Sequence, residues 1–143
     1  MLALPSEWEQ VIRTEGEAAY PDECCGVLIG EADGTGNKFA KRAAAIHNAR
    51  EDDARHHRFL IAPEDLLRAE QSARASGLEV IGFYHSHPDH PATPSAYDAD
   101  HALPFYSYVI VSVRQGVAGE LASWELTADR TVFLPEPINK ECQ

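Results

Sequence analysis

His85 and His87, set two apart in Ile81-Gly-Phe-Tyr-His-Ser-His-Pro88, and Ser95 and Asp98 downstream of them are the residues best suited to chemistry. Two imidazoles and a carboxylate at this spacing suit one small metal ion. Zinc takes histidine nitrogens at roughly 2.0–2.1 Å, and a catalytic site usually combines three protein ligands with a water. The run before the histidines (Val80, Ile81, Phe83, Tyr84) is apolar, aromatic and β-branched, which predicts a buried strand. Side chains alternate along a strand, so His85 and His87 point one way and Ser86 the other. Pro88 is expected to stop the strand and leave both imidazoles at its end. A proline-punctuated loop can then bring in the third ligand.

Ser95 and Asp98 stand three apart at the start of a short helical pattern and so share a face. As a capping device, Ser95 is the N-cap and Asp98 is favoured in the first turn by the helix dipole. As chemistry, the same dipole keeps Asp98 ionised, as a ligand must be, and places the Ser95 hydroxyl to donate to an oxyanion. A water activated by a metal also needs a base. Glu15, Glu17, Glu23 and Glu31 are the upstream candidates, and Glu23 stands out because it precedes an apolar strand holding no other charge. Glu23 reads equally well as the end of a helix-to-strand turn after Pro21-Asp22.

These residues need a scaffold. Ser6-Glu-Trp-Glu9 has capping-box spacing, and Trp8, Val11, Ile12, Glu15, Ala18 and Ala19 follow a helical period, predicting a helix over about residues 7–19 that stops at Pro21. Cys24 to Gly30 is a short apolar strand. Asp33-Gly-Thr-Gly-Asn37 is turn chemistry, returning the chain as a strand from Lys38 to about His47. A charged, mobile loop is expected over 48–56 and a short strand over Arg58–Ile61. Pro63 suits a first helical position, Leu66, Leu67, Ala69 and Ala73 make an apolar stripe, and Gly77 is the stop. That helix feeds the histidine strand. A Ser95–Ala102 helix follows, then strands over Tyr106–Val113, Glu120–Leu126 and Arg130–Leu134, and a frayed proline-containing tail. Helices interspersed among about six strands predict an α/β fold, a single domain with a central mixed β-sheet flanked by helices. The domain is expected over 1–135, with 136–143 as the tail.

At 143 residues, 44% hydrophobic and 24% charged, the chain has the size and composition of one soluble domain. No stretch reaches the roughly 20 apolar residues of a membrane span, and the N-terminus reads as no signal peptide, so no membrane partner is expected. The net charge of −11, with only three lysines, argues against nucleic acid, whose phosphates it would repel. Solubility accounts for that charge, and adaptation to a salt-rich cytoplasm is the alternative. Of the three cysteines, the adjacent Cys24 and Cys25 are badly placed to bridge each other. Reduced thiols in a cytoplasmic protein are the simplest reading.

Tyr20-Pro-Asp-Glu-Cys-Cys-Gly-Val-Leu-Ile-Gly30, the His-Ser-His-Pro run, and Ser95-x-x-Asp98 seven residues on closely resemble the JAMM (MPN+, Mov34/PAD-1) zinc metalloproteases. The likeness runs in order along the whole chain, and the combined pattern is highly specific. It implies a cytidine-deaminase-like sandwich and one zinc ion held by His85, His87 and Asp98. It further implies Glu23 as the general acid/base and Ser95 as the group steadying the tetrahedral intermediate. The chain is most similar to compact prokaryotic, Mec-like members, which cut after the Gly-Gly tail of ubiquitin-like sulfur-carrier proteins; in sulfur metabolism the product is cysteine. The expected partner is such a carrier, and the expected state a monomer or weak homodimer. A small-peptide peptidase or amidohydrolase keeps the site and changes the substrate. A non-catalytic MPN-type interaction module keeps only the fold.

His47, His56, His57, His90 and His101 read as surface residues, with His101 also considered as a donor orienting Asp98. Cys24 and Cys25 read as inert core, Cys142 as incidental, and Trp8 and Trp124 as packing.

Overall fold

The computed structural model describes residues 1–49 and 61–140. Within them the elements run β1 (Leu2–Ala3), α1 (Ser6–Ala19), β2 (Cys25–Ala32), β3 (Lys38–Ile46), α2 (Pro63–Ala75), β4 (Glu79–Pro88), α3 (Ala96–His101), β5 (Ser107–Arg114), β6 (Val117–Leu126), β7 (Phe133–Glu136) and β8 (Ile138–Asn139). The strands form one mixed sheet in the order β7-β6-β5-β4-β2-β3-β1-β8. The histidine strand β4 is central, antiparallel to β2 and parallel to β5. A strand buried on both faces reads as a continuous apolar run, as the sequence before His85 does.

The two faces have separate cores. Leu28, Ile81, Tyr84, Val109, Val111 and Val113 pack with Ile12 of α1. Val27 and Ile29 pack with Ala73 of α2, joined by Val80 and Phe83. A register shift in β4 where it pairs Leu28/Ile29 explains why both Val80 and Phe83 lie on the α2 side. Helix α1 touches β3, β4, β5 and β6, so the sheet curves around it. Gly16 permits this approach, because a Cβ there would lie 3.0 Å from Val113 Cγ2 and 3.4 Å from Ser86 Cβ.

α1 begins at Ser6 rather than being capped by it. Pro5 is the N-cap, its carbonyl accepting from Trp8 and Glu9, and no side-chain cap forms. Glu9 is instead buried against Arg13 at 3.0 Å and Lys140 at 3.4 Å. α2 matches expectation, with Pro63 in its first turn and Gly77 at φ 74° beyond its end. β4 runs one residue further than the proline suggested. Ser86 N donates to Cys24 O, so the position of the missing Pro88 N–H faces the same side, where β2 has already ended. No ladder bond is lost.

The frayed-tail expectation is overturned between Pro135 and Asn139. β7 pairs β6 and β8 pairs β1, so one chain segment interrupted by Pro137 lies along both edges of the sheet. Glu136, at this seam, is buried and gathers Lys38 Nζ at 3.0 Å, Ser123 Oγ at 2.8 Å and the N-terminal ammonium at 3.6 Å. Most of the 48–56 loop and the Arg58–Ile61 strand, with His56, His57 and Cys142, lie outside the described residues. Among the described residues no helix is long and apolar enough to cross a membrane.

Candidate metal centre

β4 delivers the two histidines as its alternation requires. Ser86 turns to the α1 side, where its Oγ accepts from Cys24 N at 2.8 Å, and both imidazoles project from the opposite face. His85 is 1% exposed and His87 7%. α3 supplies the third group through a reciprocal cap: Asp98 N donates to Ser95 Oγ at 3.1 Å, and Ser95 N donates to Asp98 Oδ2 at 2.9 Å. The capping and ligand readings of this pair are therefore compatible, since the cap aims the carboxylate.

Asp98 Oδ2 lies 3.3 Å from His85 Nε2 and 3.2 Å from His87 Nε2, and the two nitrogens are 3.1 Å apart. Two ligand atoms each about 2.0–2.1 Å from a tetrahedral ion stand about 3.3–3.4 Å apart. The triangle has that size. His87 Nδ1 meets the Pro91 carbonyl at 2.8 Å. A carbonyl only accepts, so Nδ1 carries the proton and Nε2 of the neutral ring keeps the lone pair a metal needs. Three ligand-type atoms from His85, His87 and Asp98 thus form a group that could hold a metal ion.

Burial drives His85 below its ordinary pKa, although Asp98 opposes it. Burial also presses on His87, but the Asp98 carboxylate and Pro91 carbonyl hold it above the usual value. Burial works against an ionised Asp98 too, and the two histidines with the Ser95 N–H overcome it, holding this carboxyl well below the usual range.

Glu23 sits just before β2, 6% exposed, its backbone carbonyl accepting from Asn48 Nδ2 at 3.1 Å. Its carboxyl is pushed up to about 8, first by burial; His87 pulls it down and Asp98 pushes it further up. Glu23, His87 and Ser95 line one cleft of about 310 Å³ together with His90, Pro91, Thr93 and Pro94. The other carboxylates are engaged elsewhere or exposed. Glu15 accepts from Tyr84 OH at 2.5 Å, Glu17 from Ala118 N at 2.9 Å, and Glu31 faces solvent. Clefts of about 350 and 390 Å³ lie beside α2 and the end of α1, but among the described residues neither contains a metal-ligand triad.

His101 does not orient Asp98 through its Nδ1, which meets Tyr97 O at 2.9 Å, and its ring stacks on Tyr97. His47 and His90 are exposed, with His90 on the rim of the 310 Å³ cleft. Burial pushes the Cys24 and Cys25 thiols up to about 11 and about 12, which fits inert core residues, and neither is in a disulfide. Two residues escaped the sequence reading. Asn48 is buried and ties down Glu23, although it falls in a segment expected to be loop. Trp124 was expected only to pack, yet its Nε1 donates to Ala92 O at 3.0 Å in the loop between the histidines and Ser95. Only side-chain chemistry hinted at the second: a tryptophan N–H is usually given a partner when it is partly buried.

The fold is an α/β domain whose mixed sheet presents two histidines at the end of its central strand to an aspartate from a short capped helix, a group that could hold a metal ion. The chain belongs to the prokaryotic branch of the JAB (JAMM/MPN) family: the family model described as prokaryotic homologs of the JAB domain matches residues 5–127. It is 33% identical over 118 residues to a desampylase of Haloferax volcanii, covering 80% of this chain and 78% of that protein. Among solved structures it superposes on a protein of Desulfitobacterium hafniense with a TM-score of 0.85 at 27% identity, covering 100% and 94% of the two chains. A JAB1/MPN domain protein of Archaeoglobus fulgidus, at 17% identity and a TM-score of 0.58 over 96% and 98% of the chains, shares the fold.

Proposed function

We propose that this chain is a zinc metallopeptidase that hydrolyses the peptide or isopeptide bond after the C-terminal Gly-Gly of a ubiquitin-like sulfur-carrier protein, releasing cysteine or a short peptide. The observation that carries the reading is the 3.1–3.3 Å triangle of His85, His87 and Asp98 beside a cleft shared with Glu23 and Ser95. The desampylase relative supports a protein modifier as the substrate class.

His85, His87 and Asp98 would hold the zinc. When bound, zinc supplies Lewis-acid charge that polarises a carbonyl and acidifies water. Burial favours the protonated form of Glu23, so its carboxylate would readily take a proton and then hand it to the departing amine. Ser95 Oγ accepts from Asp98 N with a lone pair, and its own O–H remains a donor towards the carbonyl oxygen of the scissile bond. A tail of paired glycines suits such a cleft: without side chains it can lie extended and bring its backbone close to Glu23, His87 and Ser95. A cytoplasmic location, and action as a monomer or weak homodimer, complete the proposal.

The test is intact-mass spectrometry of the source organism's own ubiquitin-like carriers, each extended past Gly-Gly by one or two residues and incubated with zinc-loaded protein. A mass loss ending at Gly-Gly and abolished by chelator is expected. Intact carriers alongside stoichiometric zinc would refute the carrier as substrate.

A further inference from the structure

The loop from Asp89 to Pro94 joins the histidine strand to the Ser95–Asp98 cap, and it is fastened from Asp89 to Ala92. Asp89 N donates to Val113 O at 2.7 Å, and its carboxylate accepts from Tyr20 OH at 2.6 Å and Gln115 N at 2.8 Å. The His90 carbonyl accepts from Ser112 Oγ at 2.6 Å. Ala92, 1% exposed, has both backbone groups satisfied by side chains of β6: its N donates to Glu120 Oε1 at 3.3 Å and its O accepts from Trp124 Nε1 at 3.0 Å. Between His90 and Ala92 stands Pro91, whose carbonyl meets His87 Nδ1 at 2.8 Å.

We propose that Trp124, assisted by Glu120, is a positioning residue for the metal centre: from β6 it holds the Ala92 peptide and so keeps the Pro91 carbonyl where it fixes the tautomer of His87. The inference rests on the zinc reading above. β6 is separated from the histidine strand by β5, so no ladder hydrogen bond links them, and the indole is a direct tie across that gap. The neighbouring Pro91 has no N–H with which to anchor itself, and its carbonyl is already used by His87. The Pro91 carbonyl shares its peptide plane with Ala92 N, which Glu120 holds, and Trp124 holds the following plane through Ala92 O, so these two side chains supply the restraint. If Ala92 is released, the Pro91 carbonyl can turn away. The neutral His87 ring is then free to carry its proton on Nε2, the atom that faces His85 and Asp98. Groups that orient a metal ligand in this way are typically worth about 10–100-fold in metal affinity. A phenylalanine keeps a flat aromatic ring, smaller than the indole, without the donor, and Glu120→Ala tests the same loop tie without touching the Trp124 packing.

The experiment is zinc affinity of the whole chain by competition with a chromogenic chelator, alongside 15N NMR of the His87 ring in the zinc-free protein. In wild type, read at a pH above the His87 titration so that the ring is neutral, the proton is expected on Nδ1. Trp124→Phe is expected to weaken zinc binding about 10-fold and to introduce the Nε2–H form. Trp8→Phe, which alters a tryptophan packed on the α1 side of the core, should change thermal stability but not zinc affinity. Glu120→Ala removes an exposed side chain, so it tests the same tie should Trp124→Phe fold poorly, and it is expected to weaken zinc in the same direction. Zinc affinity within twofold of wild type in both variants overturns the inference, whatever happens to the melting temperature. Wild-type protein that takes up no zinc overturns the functional reading and this inference together.

Discussion

Replacing Glu23 with glutamine separates chemistry from metal binding and also gives a signed prediction for stability. Glu23 is 6% exposed, and its carboxyl is raised from 4.5 to about 8, mainly by burial. In the metal-free protein the folded chain keeps a proton that the unfolded chain gives up above pH 4.5. Unfolding therefore releases a proton, and folded stability falls by about 1.36 kcal/mol per pH unit until the folded group ionises too. The loss begins near pH 4.5 and is complete above about 8, with a ceiling of about 5 kcal/mol. Glutamine cannot ionise, so metal-free Glu23→Gln is expected to be more stable than wild type at pH 8, by an amount on the order of 2–5 kcal/mol, and about equal at pH 4.5. Urea unfolding of chelator-treated protein at half-unit pH steps reads this directly. The zinc-loaded variant should keep its metal while turnover falls about 10²–10⁴-fold, the usual contribution of a positioned acid/base. Parallel stability curves for the two proteins refute the buried, proton-holding Glu23, and unchanged turnover removes Glu23 from the mechanism.

His87→Ala should abolish stoichiometric zinc by removing one corner of the triangle; full zinc content by elemental analysis would refute the ligand assignment. Ser95→Ala removes the acceptor for Asp98 N and the hydroxyl facing the cleft, so a helix-cap loss of about 1 kcal/mol is expected together with a fall in turnover of about 10²-fold. Equal loss of stability with turnover intact would leave Ser95 as a cap alone. Lys38→Met leaves Glu136 buried with the N-terminal ammonium and Ser123 but without its nearest cation, and should cost about 3 kcal/mol in urea unfolding. A cost near zero would mean that the seam between the sheet edges contributes little.

Much of this molecule was legible in residue spacing because the relevant interactions are local. The period-2 alternation of β4 decides that His85 and His87 share a face, and the three-residue spacing of Ser95 and Asp98 puts them within reach of a reciprocal cap. Pro63 and Gly77 likewise bracket α2 by backbone restriction. Long-range partners settled the rest. Ser6-x-x-Glu9 has the spacing of a capping box, but Glu9 is drawn into the core by Arg13 and Lys140, and no local rule contains that competition. Two-residue strands such as β1 and β8 have no periodicity to read and form only by pairing across the sheet, β1 with β3 and β8 with β1, closing a tail that looked free. Glu23 stands out in the sequence before an uncharged apolar strand, but only folding buries it beside His87, and that burial raises its proton affinity. Trp124 lies 32 residues from Ala92, and only the sheet order brings its N–H within reach of the loop. Residue types and spacing thus determined which atoms could hold a metal; tertiary structure decided how those atoms are oriented and which acid stands beside them, because orientation and desolvation come from contacts that are distant in the chain.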